Sequence, residues 1–423
     1  MTTILDSEGR AENGVLIQAD YVILRGVVVR GAGTHGIKVE NRHDVVIEGC
    51  DVSGWGRRDP SDDPKKRPDL GAQLDSAIFC EGKDVERIVI QGNRLHHPRY
   101  TSNDWSEWSP FFKSNHPQGP KAVVFKPQTR GRHVIRHNDV YSDDAHLFND
   151  LLLESNPAWP GNGLCRDSDI YGNRLSHAVD DAIELERGTR NVRVWGNYFD
   201  RAGIKTFSVR PCWEGPYYIF RNVVDRTHVP KGPTNYQEKD IPVGMFLVGA
   251  GRGPAGASSE ARERGLGYIY HNTLLCPDGA GSERFLVGDF PQGVREPERW
   301  FVSRNNVAPT RPVRNVPNLP INDFFTTRGV SDHDLFTGDV DRPAAAGPGV
   351  RKGAPIYRPG HGRGDAGLYQ LAPGSPGHDA GTVLPGFNDG FRGKAPDLGS
   401  QEDGDQPMIF GTRGWTSAAA LDR

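Results

Sequence analysis

The apolar and polar positions of residues 167–224 repeat one short pattern three times. Each copy has apolar residues at every second position, then glycine or arginine, then asparagine, and then a second strand-like segment: Asp169–Leu175, Val192–Phe199 and Tyr218–Val224. The asparagines stand at 173, 197 and 222, which are 24 and 25 residues apart. Apolar residues at every second position predict β-strands, because successive side chains of a strand point to opposite faces.

The same pattern extends well beyond this stretch. It begins near Val22 and continues through the alternating segment His35–Glu40, and further asparagines stand at the same stage of the repeat at Asn93, Asn138, Asn272 and Asn306. A repeat of roughly 20–30 residues built from short strands predicts one coil of a parallel β solenoid. Asparagine and glycine tolerate the left-handed backbone of a tight corner, and stacked asparagines can hydrogen-bond along the solenoid. A β-sandwich is the structural alternative, but it needs hairpin turns rather than a recurring corner.

Composition agrees with many short strands. Apolar residues make up 36% of the 423 residues, with 52 glycines and 32 prolines, which favours an all-β chain. The net charge of −3 gives no overall field toward nucleic acid or a membrane, so neither is predicted as a partner. The five cysteines lack the spacing of a disulfide framework or zinc site.

No signal peptide or membrane-spanning stretch is visible in the sequence. The protein is therefore expected to be secreted or periplasmic if a leader was removed, and cytoplasmic otherwise. The sequence does not predict its oligomeric state.

With these repeats, the chain resembles the right-handed parallel β-helix proteins of the pectate-lyase-like superfamily. The resemblance covers roughly residues 15–310 and rests on four repeats, Val45–Cys50, Val134–Asn138, Asp169–Asn173 and Val192–Asn197. It implies a right-handed, single-stranded parallel β-helix. It also implies a carbohydrate-active protein, because polysaccharide lyases and glycoside hydrolases predominate in that superfamily, beside epimerases and phage tailspikes.

The expected organisation is a β-helix over residues 1–310 and an irregular C-terminal cap and tail over residues 311–423, packed on the helix. Residues 368–403 look similar to the closing segment of many bacterial β-helix enzymes and are expected to cap the solenoid, with residues 404–423 as a peripheral tail. Several insertions fall just before the second strand of a coil, so they should wall a groove on one face. They span residues 55–73, 96–120, 141–147, 156–163, 227–241 and 250–265.

An alignment of inward residues predicts a row of charged side chains on the outer face of the second strand. The inward pairs are Ile37/Val39, Ile78/Cys80, Val123/Phe125, Leu151/Leu153, Ile183/Leu185 and Phe207/Val209. One outward row then contains Lys126, Glu154, Glu186 and Arg210, here called the Lys126 row. Neighbouring rungs are about 4.8 Å apart, so these side chains should be in contact.

Paired carboxylates near this row suit glycoside hydrolysis. That reaction needs one protonated carboxyl and one carboxylate, about 5 Å apart for retention of configuration and roughly 6.5–9.5 Å for inversion. Glu154 with Glu186 fits the first separation; Glu184 with Glu186, or Asp181 with Glu184, fits the second. Crowded carboxylates raise one another's pKa, which supplies the protonated acid. Hydrolysis requires no cofactor.

Two narrower resemblances leave the reaction open. Asp180-Asp181 is similar to the aspartate pair of polygalacturonase-like hydrolases, although the accompanying Gly-His-Gly and Arg-Ile-Lys motifs are absent. Glu184-Leu185-Glu186, with Asn149 one coil earlier, resembles the alginate-lyase and chondroitinase-B group. That resemblance implies calcium on Asn149, Glu184 and Glu186, and β-elimination with a lysine and an arginine. The lysine expected shortly after the glutamates is missing, which leaves Lys205 and Arg210 for those roles.

The sequence therefore predicts an enzyme that cleaves glycosidic bonds of an acidic polysaccharide or oligosaccharide by hydrolysis. Calcium-assisted elimination on a uronate and a non-catalytic glycan-binding solenoid are the alternatives. The predicted catalytic residues are Asp181, Glu184, Glu186, Arg210 and Lys205. The predicted substrate-binding residues are Lys121, Lys126, Asn149, Asp150, Glu154, Asp180 and Trp213.

Overall fold

The fold is taken from a computed structural model of the chain. It describes residues 3–57, 74–103, 117–126, 128–154, 164, 166–185, 189–209, 215–226, 244–249, 266–275, 284–289, 301–308, 311–313, 329–337, 347, 349–360 and 366–421. In this part of the chain, short strands stack into three long parallel sheets, and successive strands belong to sheets 1, 2 and 3 in turn. The predicted parallel β-helix is confirmed.

Sheet 1 runs the full length of the solenoid. In spatial order, its strands are β1 (Thr3–Asp6), β4 (Val27–Arg30), β7 (Asp51–Ser53), β10 (Arg94–His96), β13 (Asp139–Tyr141), β16 (Arg174–Ala178), β19 (Tyr198–Ala202), β22 (Val223–Asp225), β25 (Thr273–Leu275), β28 (Val307–Ala308), β31 (Leu335–Phe336) and β32 (Arg351–Lys352).

Sheet 2 contains the face on which the carboxylates were predicted. Its strands are β2 (Asn13–Ile17), β5 (His35–Glu40), β8 (Ser76–Glu81), β11 (Lys121–Phe125), β14 (Leu152–Glu154), β17 (Asp181–Glu184), β20 (Lys205–Val209), β23 (Gly244–Gly249), β26 (Arg284–Asp289) and β29 (Arg311–Val313).

Sheet 3 completes each coil. Its strands are β3 (Ile23–Arg25), β6 (His43–Glu48), β9 (Glu86–Gln91), β12 (Val134–Arg136), β15 (Asp169–Tyr171), β18 (Val192–Trp195), β21 (Tyr217–Phe220), β24 (Gly267–Tyr270), β27 (Phe301–Arg304) and β30 (Gly329–Asp332). A short antiparallel pair, β33 (Ala366–Gly367) with β34 (Met408–Ile409), and helix α1 (Gly411–Leu421) lie in the C-terminal segment.

The corner between sheets 3 and 1 is a two-residue turn in every coil from residues 49–50 onward. Its first residue has a left-handed backbone, for example Gly196 with φ 61° and Arg221 with φ 53°. Its second residue is asparagine from Asn93 to Asn306. From Asn138 onward, each asparagine Oδ1 accepts the main-chain and side-chain N–H of the asparagine one coil earlier, as Asn197 does for Asn173 at 3.0 and 2.9 Å, and Asn93 Oδ1 accepts the main-chain N–H of Cys50. The stacked asparagines predicted from the repeat are confirmed, and we call them the asparagine ladder.

The ladder ends on a carboxylate. Asp334 Oδ1 accepts the main-chain and side-chain N–H of Asn306 at 2.9 and 2.8 Å, and Oδ2 accepts the hydroxyls of Ser303 and Ser331, each at 2.6 Å. Burial raises the pKa of Asp334 to about 6 despite these bonds, because an ionised carboxylate is costly away from water.

Sheet 2 contributes continuous rows of apolar side chains to the core. Val123, Leu152 and Ile183 are register partners from consecutive coils, and all three are buried. Burying a side chain of this size contributes about 1.5–3 kcal/mol. The stacking of similar apolar residues is therefore the main source of stability.

The coils continue past the predicted boundary at residue 310, because β29–β32 extend the same three sheets to Lys352. The C-terminal segment then packs along the side of the solenoid. Tyr369 and Phe410 cover Tyr198 and Val223 of sheet 1, and Leu371 and Leu398 pack in a second cluster with Val307 and Leu335. The closing segment therefore covers the outer face of sheet 1, whereas a cap over the open end was expected.

The corner of the asparagine ladder anchors this segment. His271 Nδ1 donates to the carbonyl of Gly399 at 3.1 Å, and its Nε2 accepts from the amides of Asn305 and Asn388. Further back along the solenoid, the Gly411 N–H donates to Gly172 O at 2.8 Å. Helix α1 thus docks on the coils, where the sequence predicted a peripheral tail.

His378, Asp379 and Asp397 cluster within the closing segment, with ligand-type atoms within 4.8 Å of one another. Both carboxylate oxygens of Asp397 accept backbone N–H groups, from Asp379 at 2.7 Å and from Asp403 at 2.8 Å. Asp397 therefore holds two parts of the segment together.

Long connections leave the coils on both sides of sheet 2. The connections from β7, β10, β13 and β22 enter sheet 2, and those from β14 and β23 leave it. This agrees with insertions at matching stages of the repeat, although most of their residues lie outside the described ranges. No described helix is long and apolar enough to cross a membrane.

Candidate active site

Four charged side chains from consecutive coils gather where the strands of sheet 2 begin. Lys121, Asp181 and Lys205 are the first residues of β11, β17 and β20, and Asp150 precedes β14 by two residues. We call this set the charged column: Lys121, Asp150, Asp181 and Lys205.

Direct contacts link the members of the charged column. Lys121 Nζ lies 2.7 Å from Asp150 Oδ2, and Asp150 Oδ1 accepts the backbone N–H of Asp181 at 3.2 Å. Asp181 and Lys205 are register partners on neighbouring strands. The signs of charge along the column therefore run positive, negative, negative, positive.

The charged column is almost fully buried. The exposed fractions are 4% for Lys121, 2% for Asp150, and 6% for Asp181 and Lys205. Burying an ion pair costs several kcal/mol of desolvation, and apolar replacements of similar volume are often as stable or more stable. Stability alone therefore does not explain four buried charges, and a functional role is the better interpretation.

Asn149 adds a buried amide beside the column. Its Oδ1 accepts from Lys121 Nζ, which turns its Nδ2 group away from the lysine. Asn149 is 2% exposed, and its Nδ2 has no hydrogen-bond partner among the described residues. An unpartnered buried amide is costly, so this N–H is available to an oxygen of a ligand.

His35 extends the same region toward the N-terminus. It stacks on Phe79 with ring centroids 4.0 Å apart, and its Nδ1 lies 3.3 Å from Ser76 Oγ. Burial, followed by the positive charges of Lys38 and Arg57, lowers the pKa of His35 to about 3. His35 is therefore neutral at pH 7 and adds no third positive charge.

The predicted Lys126 row is wrong at the pairing of β11 with β14. Sheet register pairs Glu154 with Phe125, and Leu152 with Val123, so β14 is shifted by one residue from the predicted alignment. Lys126 also lies just past the opposite end of β11 from Lys121, a distance of roughly 16 Å along the strand. Lys126 is therefore not in register with the charged column, although its positive charge contributes to the lowered pKa of His35.

The other predicted residues divide into three groups. Asp180 is buried directly before Asp181, and Glu184 is half-buried opposite Ser208. The side chain of Glu154 lies outside the description. Glu186, Arg210 and Trp213 fall outside the described residues altogether, so their roles stay predictions.

The residues predicted for calcium can be tested in part. Asn149 Oδ1, the expected ligand oxygen, accepts from the Lys121 ammonium. A cation already faces that oxygen, so Asn149 does not fit a calcium ligand in this arrangement. No reaction step is derived through calcium.

The sequence identified every member of the charged column but not their association. Asp181 and Lys205 were predicted as catalytic residues, and Lys121 and Asp150 as substrate-binding residues. Their contacts depend on the register of β14, where three consecutive leucines, Leu151–Leu153, give no alternation to align.

Comparison with known proteins finds little. No model of a protein family matches the chain, and no curated protein matches it. Among solved structures, the chain is similar to pectate lyase Pel9A, with 14% identity and a TM-score of 0.41 over 95% of this chain and 76% of that chain. This likeness concerns the fold, and no argument about function rests on it.

Proposed function

We propose that this protein is a carbohydrate-active enzyme that hydrolyses glycosidic bonds of an acidic polysaccharide or oligosaccharide at the charged column. The observation that carries the proposal is the pair Asp150 and Asp181, buried on neighbouring coils and flanked by Lys121 and Lys205. Rungs of a sheet are about 4.8 Å apart, near the roughly 5 Å between carboxyl groups of retaining glycosidases.

The two carboxyl groups have different surroundings, as this chemistry requires. Asp150 is neutralised by Lys121 and oriented by the Asp181 N–H, which suits a carboxylate that attacks or stabilises the sugar. Asp181 then has the role of the acid that protonates the leaving oxygen. In the second half of the reaction, Asp181 takes a proton from the attacking water.

The polar groups around the pair suit an acidic sugar. Lys121 and Lys205 place positive charge on either side of the carboxylates, and Asn149 offers a free N–H. Ammonium and amide donors both bind the carboxylate and hydroxyl oxygens of a uronate. These groups support an acidic rather than a neutral glycan.

The second candidate is β-elimination on a uronate. It is favoured by the alignment of Lys205 with Asp181, which places an amine beside the carboxylates. A lysine desolvated by burial can become neutral and remove the proton next to a uronate carboxyl group. Arg210 was predicted for a similar role.

Product analysis separates the candidates. The protein is incubated with a panel of acidic and neutral polysaccharides while new reducing ends and the ultraviolet absorbance of an unsaturated uronate are followed. Reducing ends without absorbance support hydrolysis, and both together support elimination. Neither product across the panel, with retained binding, would show a glycan-binding solenoid. A parallel series with a chelator tests the calcium prediction.

A further inference from the structure

His35 lies at the same edge of sheet 2 as the charged column, in a coil that precedes it. His35 is the first residue of β5, and the next two strands of the sheet begin at Ser76 and Lys121. Ser76 and Lys121 are register partners. The strands of His35 and Lys121 are therefore two rungs, or about 10 Å, apart.

His35 presents an N–H group on the outer face of sheet 2. Its ring stacks on Phe79, which points outward because its neighbours Ile78 and Cys80 are in the core. The main-chain N–H of Ser76 donates to His35 Nδ1 at 3.3 Å, so the proton of the neutral ring lies on Nε2. His35 is only 7% exposed, and its Nε2 has no hydrogen-bond partner among the described residues. This buried N–H is therefore available to an oxygen of a ligand.

Arg57 is held beside His35 by Asp75, the residue that precedes Ser76. Its main-chain N and its Nε donate to the two oxygens of Asp75, each at 2.8 Å, and its Nη2 lies 2.8 Å from Oδ1. Asp75 is fully buried, whereas 48% of the Arg57 side chain is exposed. Within the part of the chain that the structure describes, Arg57 Nη1 has no partner. The guanidinium is thus fixed on one side and open on the other, so binding a ligand costs it little conformational freedom.

The electrostatic surroundings of His35 favour an anion. Burial is the largest cause of its low pKa, and the positive charges of Lys38, Arg57 and Lys126 lower that pKa further. These three charges therefore reach the imidazole ring. Both oxygens of Asp75 are occupied by donors of Arg57, so neither is left bare toward a ligand. A guanidinium and a neutral N–H together suit the oxygens of a carboxylate.

We propose that His35 and Arg57 form a second subsite on this face of sheet 2, which binds the carboxylate of another acidic sugar unit of the same glycan. We call it the His35 subsite. This inference rests on the proposed function and narrows its substrate. Because the subsite lies two coils from Lys121, a single sugar unit at the charged column does not reach it. The preferred substrate is therefore an oligomer or polymer that carries several carboxylates.

The test compares uronate-containing oligomers from disaccharide to octasaccharide, prepared from polygalacturonate, alginate and hyaluronate. Calorimetry measures their affinity for the full chain, with the Asp181→Asn variant used where the wild type cleaves them. Reducing-end release gives KM and kcat. Affinity should rise at least tenfold from the disaccharide to the octasaccharide, because the longer chain gains charge-assisted hydrogen bonds. Octasaccharides whose carboxyl groups are reduced to alcohols should lose this gain.

Two substitutions remove the donors of the His35 subsite. His35→Phe keeps a ring on Phe79 without the N–H group, and Arg57→Gln removes the guanidinium. Each should lower the affinity for octasaccharide about tenfold and raise its KM more than it lowers kcat. Since Arg57→Gln leaves the buried Asp75 without its cation, the double variant Arg57→Gln/Asp75→Asn removes both charges and should show the same loss.

Arg87→Gln is the matched control, because Arg87 also pairs with an aspartate, Asp44 at 2.7 Å, but on sheet 3. It should bind octasaccharide as the wild type does, and melting temperatures show whether each variant is folded. Cleavage by the wild type, with the same length dependence in His35→Phe and the double variant, overturns the His35 subsite and leaves the proposed function standing. Length-dependent binding without cleavage, lost in those variants, supports the subsite and overturns hydrolysis. A wild type that neither binds nor cleaves any oligomer overturns both.

Discussion

Asp334 shows how one residue at the end of a repeated structure acquires its own chemistry. It occupies the ladder position that asparagine holds in earlier coils, and its Oδ1 accepts the same two N–H groups. Unlike asparagine, Asp334 can ionise, and burial disfavours the ionised form. The folded protein therefore binds a proton at Asp334 more tightly than the unfolded chain does.

This difference predicts pH-dependent stability. The pKa of Asp334 rises from 3.8 to about 6 on folding, which corresponds to about 3 kcal/mol. That contribution is fully present below pH 3.8 and is lost as the pH rises through 6. Asp334→Asn should therefore gain stability relative to wild type between pH 4 and pH 7.5, measured by urea unfolding at both values. The same change at exposed Asp389 should show no such trend, and an equal trend in both variants would contradict the prediction.

At the candidate site, substitutions of Asp181 and Glu186 test two different positions for the catalytic carboxyl group. Asp181→Asn should lower turnover at least a hundredfold, because the amide keeps the shape of the side chain but cannot transfer a proton to the sugar. Glu186→Gln should also abolish turnover if the sequence prediction is right. The initial rate of reducing-end release measures both.

The control is Glu81→Gln on the same sheet, where Glu81 pairs with Lys38 at 2.7 Å. It should keep wild-type activity. A fully active Asp181→Asn variant beside an inactive Glu186→Gln variant would favour Glu186 over Asp181 as the catalytic residue.

At the scale of elements, the asparagine ladder repeats the same set of hydrogen bonds from coil to coil. Asn197 Nδ2 donates to Ile170 O at 3.0 Å and to Asn222 Oδ1 at 3.0 Å, while its Oδ1 accepts both donors of Asn173. These groups are buried, so a missing partner leaves them unsatisfied.

Asn197→Ala is therefore expected to lower the free energy of unfolding by roughly 2–5 kcal/mol. Urea unfolding at constant pH measures the change. Asn103→Ala removes an asparagine whose Oδ1 accepts from Gln118 N at 2.7 Å in a half-buried loop outside the ladder, and should cost about 1 kcal/mol. Equal losses for the two variants would show that stacking of the side chains adds nothing.

The sequence predicted the coil and the ladder because the same short pattern recurs along the chain, with asparagines 24 and 25 residues apart between Asn173 and Asn222. It failed at β14, where Leu151, Leu152 and Leu153 are all apolar and alternation cannot show which residue points inward. The register of β14 is shifted by one residue from the predicted alignment, so Glu154 pairs with Phe125 and not with Lys126. Residues such as Asp150 were among the predicted site residues, but the neighbours they contact could not be derived without the register.

At the scale of the whole molecule, the C-terminal segment covers one side of the solenoid. The sequence predicted that this segment packs on the helix, but not where, because a returning chain has no periodicity to align. Tyr198, Val223 and Leu275 lie on sheet 1 beneath Tyr369 and Phe410. These apolar residues would face water without the segment.

A chain ending at residue 365 should therefore melt at a lower temperature and bind a dye specific for exposed apolar surface. A chain ending at residue 410 keeps Tyr369 and Phe410, so it should bind little dye and lose less stability. Calorimetry and dye fluorescence compare the three lengths. Melting of the shortest chain at the wild-type temperature would contradict the packing described for sheet 1.

The two-residue corner has a consequence for changing this protein. From residues 49–50 onward, the corner between sheets 3 and 1 keeps one length, whereas the connections beside sheet 2 vary widely in length. Foreign loops could be grafted into the connections beside sheet 2 without changing this corner. One residue added at 196–197 would instead shift the register of every coil beyond it.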